Sequence, residues 1–450
     1  MIRKELKKLA FAATALLPLG ALHAQLGSTN PPPGPRGVYA ITHAKIVPVT
    51  GPEIANGTLV IGADGKIQAL GASVAVPSGA KVIDATGLSV YPGMMDGGTS
   101  LGLSEIGQGA ASTVDVTEVG TFNPNVQAFF GINPHSAHVG VTRVVGVTHV
   151  VSRPTGGIIS GQAALINLSG STPPEMVLVQ KVAMAFSLPG AFGGGRGFGR
   201  GGFAAGGANA ASDANSLRNR QMDSLRTMLN DALAYAKAFD AYAKDKTLPR
   251  PKQDVVLASL VPVLQGRMYA MFTAQRAGDI RDAVNFAEEF HMKPIIVGGD
   301  EALRVAPFLK QHDVPVLLAG VRSLPRNEDD APDVNFSMPG KLVAAGVKIS
   351  ITSGNAGSAV RDMPTIAGMA AAYGLSKTDA LKSVTIWPAQ IFGMGDKLGS
   401  LEVGKLANVV VTTGDLLEAR TDTKYLFIDG RPIPLDTRHT ELYMQFKDRP

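Results

Sequence analysis

The chain has 450 residues, with 42 Lys and Arg against 37 Asp and Glu and no cysteine. That length fits two or three domains, or one large barrel with an appendage. A hydrophobic fraction of 45% excludes global disorder. The lack of Cys excludes disulfides, Cys-ligated zinc, iron–sulfur clusters and thiol catalysis. The formal charge of +5 falls to about +2 once residues 1–24, which carry Arg3, Lys4, Lys7 and Lys8 against Glu5, are set aside. A near-neutral remainder gives no case for nucleic acid or an anionic membrane as partner.

Those first residues have the form of a secretory signal: a basic MIRKELKK, an apolar LAFAATALLPLG and a cleavage site after Ala24 in ALHA. The competing reading is a frayed amphipathic helix. No later apolar run approaches the ~18 residues a membrane span needs, so no transmembrane anchor is expected. Export to the periplasm or beyond follows from the signal and suits a Cys-free chain.

Residues 25–37 form a Pro/Gly-rich linker. Residues 38–93 read as short strands, including a hairpin over 57–71 with Asp64-Gly65 at its turn. From 94 to 395, apolar strand-like runs alternate with helical patterns. Strands are expected at 141–152, 163–170, 269–275, 293–299, 314–320 and 347–354. Helices are expected at 216–245, 279–290, 301–311, 339–345, 363–373 and 376–384. Buried strands alternating with helices indicate parallel βαβ units, and their number favours a (β/α)8 TIM barrel over an open doubly wound sheet. Residues 396–435 return to strands, with Asp429-Gly430 at a turn. The fold expected is therefore α/β: a barrel beside a small β-sandwich built from N- and C-terminal segments, followed by a tail over 436–450. The Gly-rich segment 189–207 is expected to be an insertion into the barrel, disordered or a lid.

The stretch VIDATGLSVYPGMMDGGTSLGL resembles the first-strand signature of the amidohydrolase superfamily, and YGLSKTDALKSVTIWPAQIFGMGDKLGSLEVGKLANVVVTTGDLL resembles its closing signature. With AGDIRDAVNFAEEFHMKPIIVGGDEAL, the resemblance covers most of residues 38–435. It implies a metal-dependent barrel related to imidazolonepropionases, dihydroorotases and secreted dipeptidases. The ligand positions it implies do not hold ligands. Asp96-Gly97-Gly98-Thr99-Ser100 stands where Asp-x-His-x-His is expected. Ala185 stands near the bridging Lys or acid. Thr273-Ala274-Gln275-Arg276 replaces His-Ala-His-Arg, Gly298 or Gly299 replaces the next His, and Asn355 replaces the proton-accepting Asp. A catalytic zinc needs about three protein ligands, and Asn cannot act as a base at neutral pH.

Among other candidates, His135 and His138 have a chelating spacing but read equally as surface or capping residues. His149 reads as a satisfied core histidine, while His291 and His312 lie at helix ends. Glu105, Asp115 and Glu118 follow the first barrel strand, at the end of the barrel where such folds place function. Arg153 and Arg361 follow other strands, and Arg153 is suited to clamp a carboxylate. The candidate catalytic residues are thus Glu105 and Asn355. The candidate ligand-binding residues are Ser100, Asp115, Glu118, Arg153, Thr273, Gln275 and Arg361. No metal and no cofactor are expected.

Two functions compete. One is an exported protein that has lost the metal centre and binds a small polar ligand or a partner at the barrel mouth, as a homo-oligomer or with an active paralogue. The other is an active hydrolase of non-peptide or dipeptide-like C–N bonds that uses an atypical site. A purely structural envelope role is a third, minor reading.

Overall fold

The computed structural model describes residues 30–105, 114–189 and 208–449, with side chains from 215 onward in the last stretch. The expected signal sequence (1–24), the first residues of the expected linker and all of the Gly-rich segment 189–207 except Pro189 lie outside the described residues.

The alternating strands near the start of the chain are β1 (Tyr39–Ile46), β2 (Ile54–Ile61), β3 (Ile67–Gly71), β4 (Lys81–Asp84) and β5 (Ser89–Pro92). Eight further strands follow: β6 (Met94–Thr99), β7 (Val147–Ser152), β8 (Ile159–Asn167), β9 (Val177–Phe186), β10 (Tyr269–Ala274), β11 (Lys293–Gly298), β12 (Val316–Leu318) and β13 (Ile349–Ile351). The last three, β14 (Val409–Thr412), β15 (Thr423–Ile428) and β16 (Arg431–Pro432), return to the first group. Antiparallel pairing of β14 with β5 joins the two chain ends in one eight-stranded sheet. Its core, with Ile41, Ile46, Leu59, Val409 and Phe427 among its members, is separate from that of the barrel. The two expected turns meet there. Asp429 and Gly430 both have positive φ, the type I′ geometry of a two-residue hairpin. A Cβ at Gly430 would lie 2.5 Å from the Cα of Gly65, so only glycines let the turns touch.

Strands β6 to β13 form the second sheet, in sequence order, rolled into a nearly closed barrel. It is the expected TIM-type architecture with one departure: β8 runs antiparallel to both β7 and β9. Connection length explains this. Only residues 153–158 join β7 to β8, and the β8–β9 link holds a single turn of helix, Pro173–Met176. A parallel crossover needs roughly a dozen residues or more, so both links can only form hairpins. The long crossover falls between β9 and β10, through helices Ala208–Lys244 and Val255–Leu264.

The strand expected over 141–152 begins only at Val147; residues 141–143 end a helix and 144–146 form a turn. Ser136 caps helix Ala137–Arg143, its hydroxyl accepting from the His138 N–H at 3.2 Å, and Gly146 at φ 93° lets the chain turn into β7. A run of β-branched residues looks like one strand unless the cap is weighed.

The edge strands β6 and β13 meet through side chains. Oδ2 of Asp96 on β6 accepts from the backbone N–H of Ser353 at 3.1 Å and from its hydroxyl, while Oδ1 accepts from the Gly98 N–H at 2.9 Å. Asp96 thus fastens the barrel where its ends come together.

Candidate functional site

The parallel strands β6, β7 and β10–β13 deliver their C-terminal residues to one end of the barrel, which loop 114–127 crosses along β8. Asp96, Arg153, Gln275, Gly298 and Ser353 all lie at or just beyond these strand ends.

The glycines at the first strand are packed against, not open. A Cβ on Gly97 would lie 3.2 Å from Leu317 Cδ2 and 3.4 Å from Phe392 Cε2. A Cβ on Gly98 would meet Arg153 Nε and Met271 Cε at 3.6 Å and Leu317 Cδ1 at 3.7 Å. At the end of β11 a Cβ on Gly298 would collide with the Gln275 amide, and Gly298 has φ 108°. Ala185 is buried on β9, paired with Met271 on β10. Gly97 and Gly298 are therefore crowded by Leu317, Phe392 and Gln275, while Gly98 lies in ordinary contact with Arg153, Met271 and Leu317. Most of these are apolar. With Asp96 committed to Gly98 and Ser353, the donor set does not suit a zinc-type centre. Among the described residues, no group of three or more His, Asp or Glu could hold a metal ion.

Arg153 is the unusual member. It is 6% exposed, its Nε is buried with no hydrogen-bond partner among the described residues, and the charge that acts on it is that of Asp96. Its backbone N–H donates to Thr99 at 2.9 Å, which sets the side chain beside Gly98. Burial pushes its pKa down to about 10, against the pull of the Asp96 charge. Burial likewise raises the Asp96 carboxyl, although Ser353, Gly98 and Arg153 all favour its ionised form.

The other predicted residues scatter. The Ser100 hydroxyl donates to the Asn355 backbone carbonyl at 2.5 Å, so these two do meet, but through the main chain of Asn355, which is exposed. Glu105 accepts a long 3.5 Å bond from Asn133. Asp115 and Glu118 line one small hollow with Gln127, Phe130 and Pro154, and Glu105 is not among its walls. Thr273 pairs with Val297 across β10 and β11, and Gln275 Oε1 accepts from the Asp300 N–H at 3.4 Å. Arg361 is exposed in the short helix Gly357–Asp362. His138 is half-buried in the helix that Ser136 caps, whereas His135 is exposed.

Three residues were not among the candidates. Asp96 was read only as the remnant of a motif. Ser353 lies two positions before Asn355, and its hydroxyl reaches the site where Asn355 does not. Asp300 follows Gly299 at the end of β11; burial raises its carboxyl, and Arg326 Nε lies 3.5 Å away. Its signal was the Gly-Gly-Asp run that ends an apolar strand.

His149 departs from its reading as a satisfied core residue. Its Nδ1 lies 2.6 Å from the Thr148 hydroxyl and 3.3 Å from Asn408 Nδ2, but Nε2 has no partner. Full burial pushes its pKa down to about 3.

A near-closed barrel flanked by a sheet from both chain ends is the architecture that known structures share with this chain. Residues 286–433 match the amidohydrolase family. The structure is similar to an amidohydrolase from Thermotoga maritima MSB8, with a TM-score of 0.76 at 24% identity, covering 88% of this chain and 99% of that one. It also resembles a prolidase complexed with N-methylphosphonate-L-proline, with a TM-score of 0.54 at 16% identity, covering 88% of this chain and 99% of that one. A third similar structure is molinate hydrolase, with a TM-score of 0.55 at 16% identity and 90% and 95% coverage. No curated protein matches by sequence. The family match covers residues 286–433, and the structural likenesses establish the fold.

Proposed function

We propose that this chain is an exported amidohydrolase-fold protein without a metal centre, which binds a small carboxylate-bearing ligand at the barrel mouth. One observation carries the reading: the buried guanidinium of Arg153, whose Nε lacks a hydrogen-bond partner, beside the glycines that stand where ligands are expected. Desolvation of this cation costs free energy that the Asp96 charge offsets only in part. An anion from solution would offset that cost and form a charge-assisted, bidentate contact. The N-terminal basic and apolar segments support a periplasmic or secreted location. The test is calorimetric titration of the chain with a series of small carboxylates and their amides. Saturable binding of an acid, at least about tenfold tighter than its amide and lost in Arg153→Met, supports the reading. Equal binding of acid and amide, or binding indifferent to Arg153→Met, refutes it.

One observation favours the rival reading of an active C–N hydrolase. Asp300 is a half-buried carboxyl at a strand end with a raised pKa, a common setting for an acid–base group. Turnover of N-acyl or dipeptide-like substrates that disappears in Asp300→Asn would establish it.

A further inference from the structure

A cavity of about 810 Å³ lies at the opposite end of the barrel from the mouth, at the N-terminal ends of β10 to β13. Lys293 opens β11 and Gly298 closes it, so the two ends of that strand are about 17 Å apart. The cavity thus shares no wall with Arg153, Asp96 or Ser353.

Its floor is the inner barrel core, reached through Ile295 and Ile391. Tyr269 and Trp387, both half-buried, form aromatic walls. Tyr269 is held edge-on to Phe392, with ring centroids 6.0 Å apart, so this wall is fixed by packing. The rim is charged but unevenly compensated. Lys348 pairs with Asp313 at 2.8 Å, and His312 is tied to Glu288. Lys293 has no hydrogen-bond or ion-pair partner among the described residues. A deep apolar slot with aromatic walls and one uncompensated cation at its edge has the size and make-up of a small-molecule site. Flat rings suit the walls, and an anionic group suits Lys293.

We propose that the barrel floor carries a second small-molecule site, which takes a flat aromatic carboxylate with its rings against Trp387 and Tyr269 and its anionic group at Lys293. The mouth is the end where barrels of this type place their chemistry, so the floor site would act as a binding or effector site.

Trp387 is the only tryptophan in the chain, so selectively excited emission reports on this wall alone. The experiment titrates the full chain with biphenyl-4-carboxylate and with its uncharged amide, following Trp387 emission and heat in parallel. The expected result is a saturable emission change, with the acid about tenfold tighter than the amide and weakened by added salt. Lys293→Gln, at an exposed position that leaves the core intact, is expected to abolish the acid's advantage. Val343→Phe, which narrows the slot, is expected to weaken both compounds. Repeating the titration in Arg153→Met separates this site from the mouth. Four results would overturn the proposal: no saturable change, equal affinity for acid and amide, indifference to Lys293→Gln, or loss of binding in Arg153→Met.

Discussion

Acid should destabilise this protein through His149. The imidazole is fully buried on β7, and burial holds its pKa at about 3. Asn408 Nδ2 and the Thr148 hydroxyl both approach Nδ1, which suits the neutral ring with its proton on Nε2. In the unfolded chain the same ring titrates near ~6.5. Between those values the unfolded state binds a proton that the folded state refuses, so stability falls as pH falls. The loss is about 2 kcal/mol at pH 5 and approaches about 5 kcal/mol below pH 3. His149→Gln keeps an acceptor near Asn408 and cannot titrate. Its packing cost is the same at every pH and cancels when one pH is compared with another. Urea unfolding at pH 7 and pH 5 should therefore show the wild type losing about 2 kcal/mol more than His149→Gln. Asp96, whose raised pKa works in the opposite direction, is common to both proteins and drops out. Parallel losses in the two proteins would refute the reasoning, because His149 would then titrate alike in both states.

Three further outcomes follow from the site and its surroundings. Arg153→Met should raise the melting temperature of the ligand-free protein, by the equivalent of about 1–3 kcal/mol, because desolvation of the guanidinium outweighs the attraction of the Asp96 charge; a drop in melting temperature would mean that the attraction to Asp96 wins. Gly298→Ala should cost about 2 kcal/mol in chemical unfolding, since the position has φ 108° and a Cβ there collides with the Gln275 amide; Gln275→Ala in the same chain should recover part of that loss. Glu402 accepts from Ser400, Thr50 and Lys405, chiefly Ser400, and its pKa is lowered to about 2. Its side chain is 45% exposed, so Glu402→Gln should cost no more than about 1 kcal/mol at neutral pH. That difference should fade as pH falls from the ordinary glutamate range toward 2, where both forms are neutral.

Much of the architecture was legible because hydrophobic periodicity and turn residues are local signals. The Asp64-Gly65 and Asp429-Gly430 turns, helix Ala277–Glu289 and the strands β10 and β11 all fall close to where the pattern places them. The reversed strand β8 was not legible from periodicity, which is the same in either direction; only the shortness of its two connections reveals it. The site was harder to read because its content lies between distant segments. The emptied positions at Gly97, Gly98 and Gly298 are visible in the sequence, but their filling by Leu317, Phe392 and Gln275 depends on contacts across the barrel. Asn355 takes the motif position, yet it is the Ser353 hydroxyl, two residues earlier, that turns inward to Asp96, which an alignment of motifs does not reveal. Arg153 is expected as a clamp for a carboxylate. Its burial beside Gly98 was beyond what strand order alone conveys.

The central claim is that packing and Arg153 occupy the place of a metal centre. The most direct test is elemental analysis of residues 25–450 after exchange into metal-free buffer, with and without prior loading with zinc or manganese. The account predicts less than about a tenth of an equivalent of either metal in both samples, since among the described residues no three His, Asp or Glu side chains converge to hold a divalent ion against exchange. One or two tightly retained equivalents would contradict it.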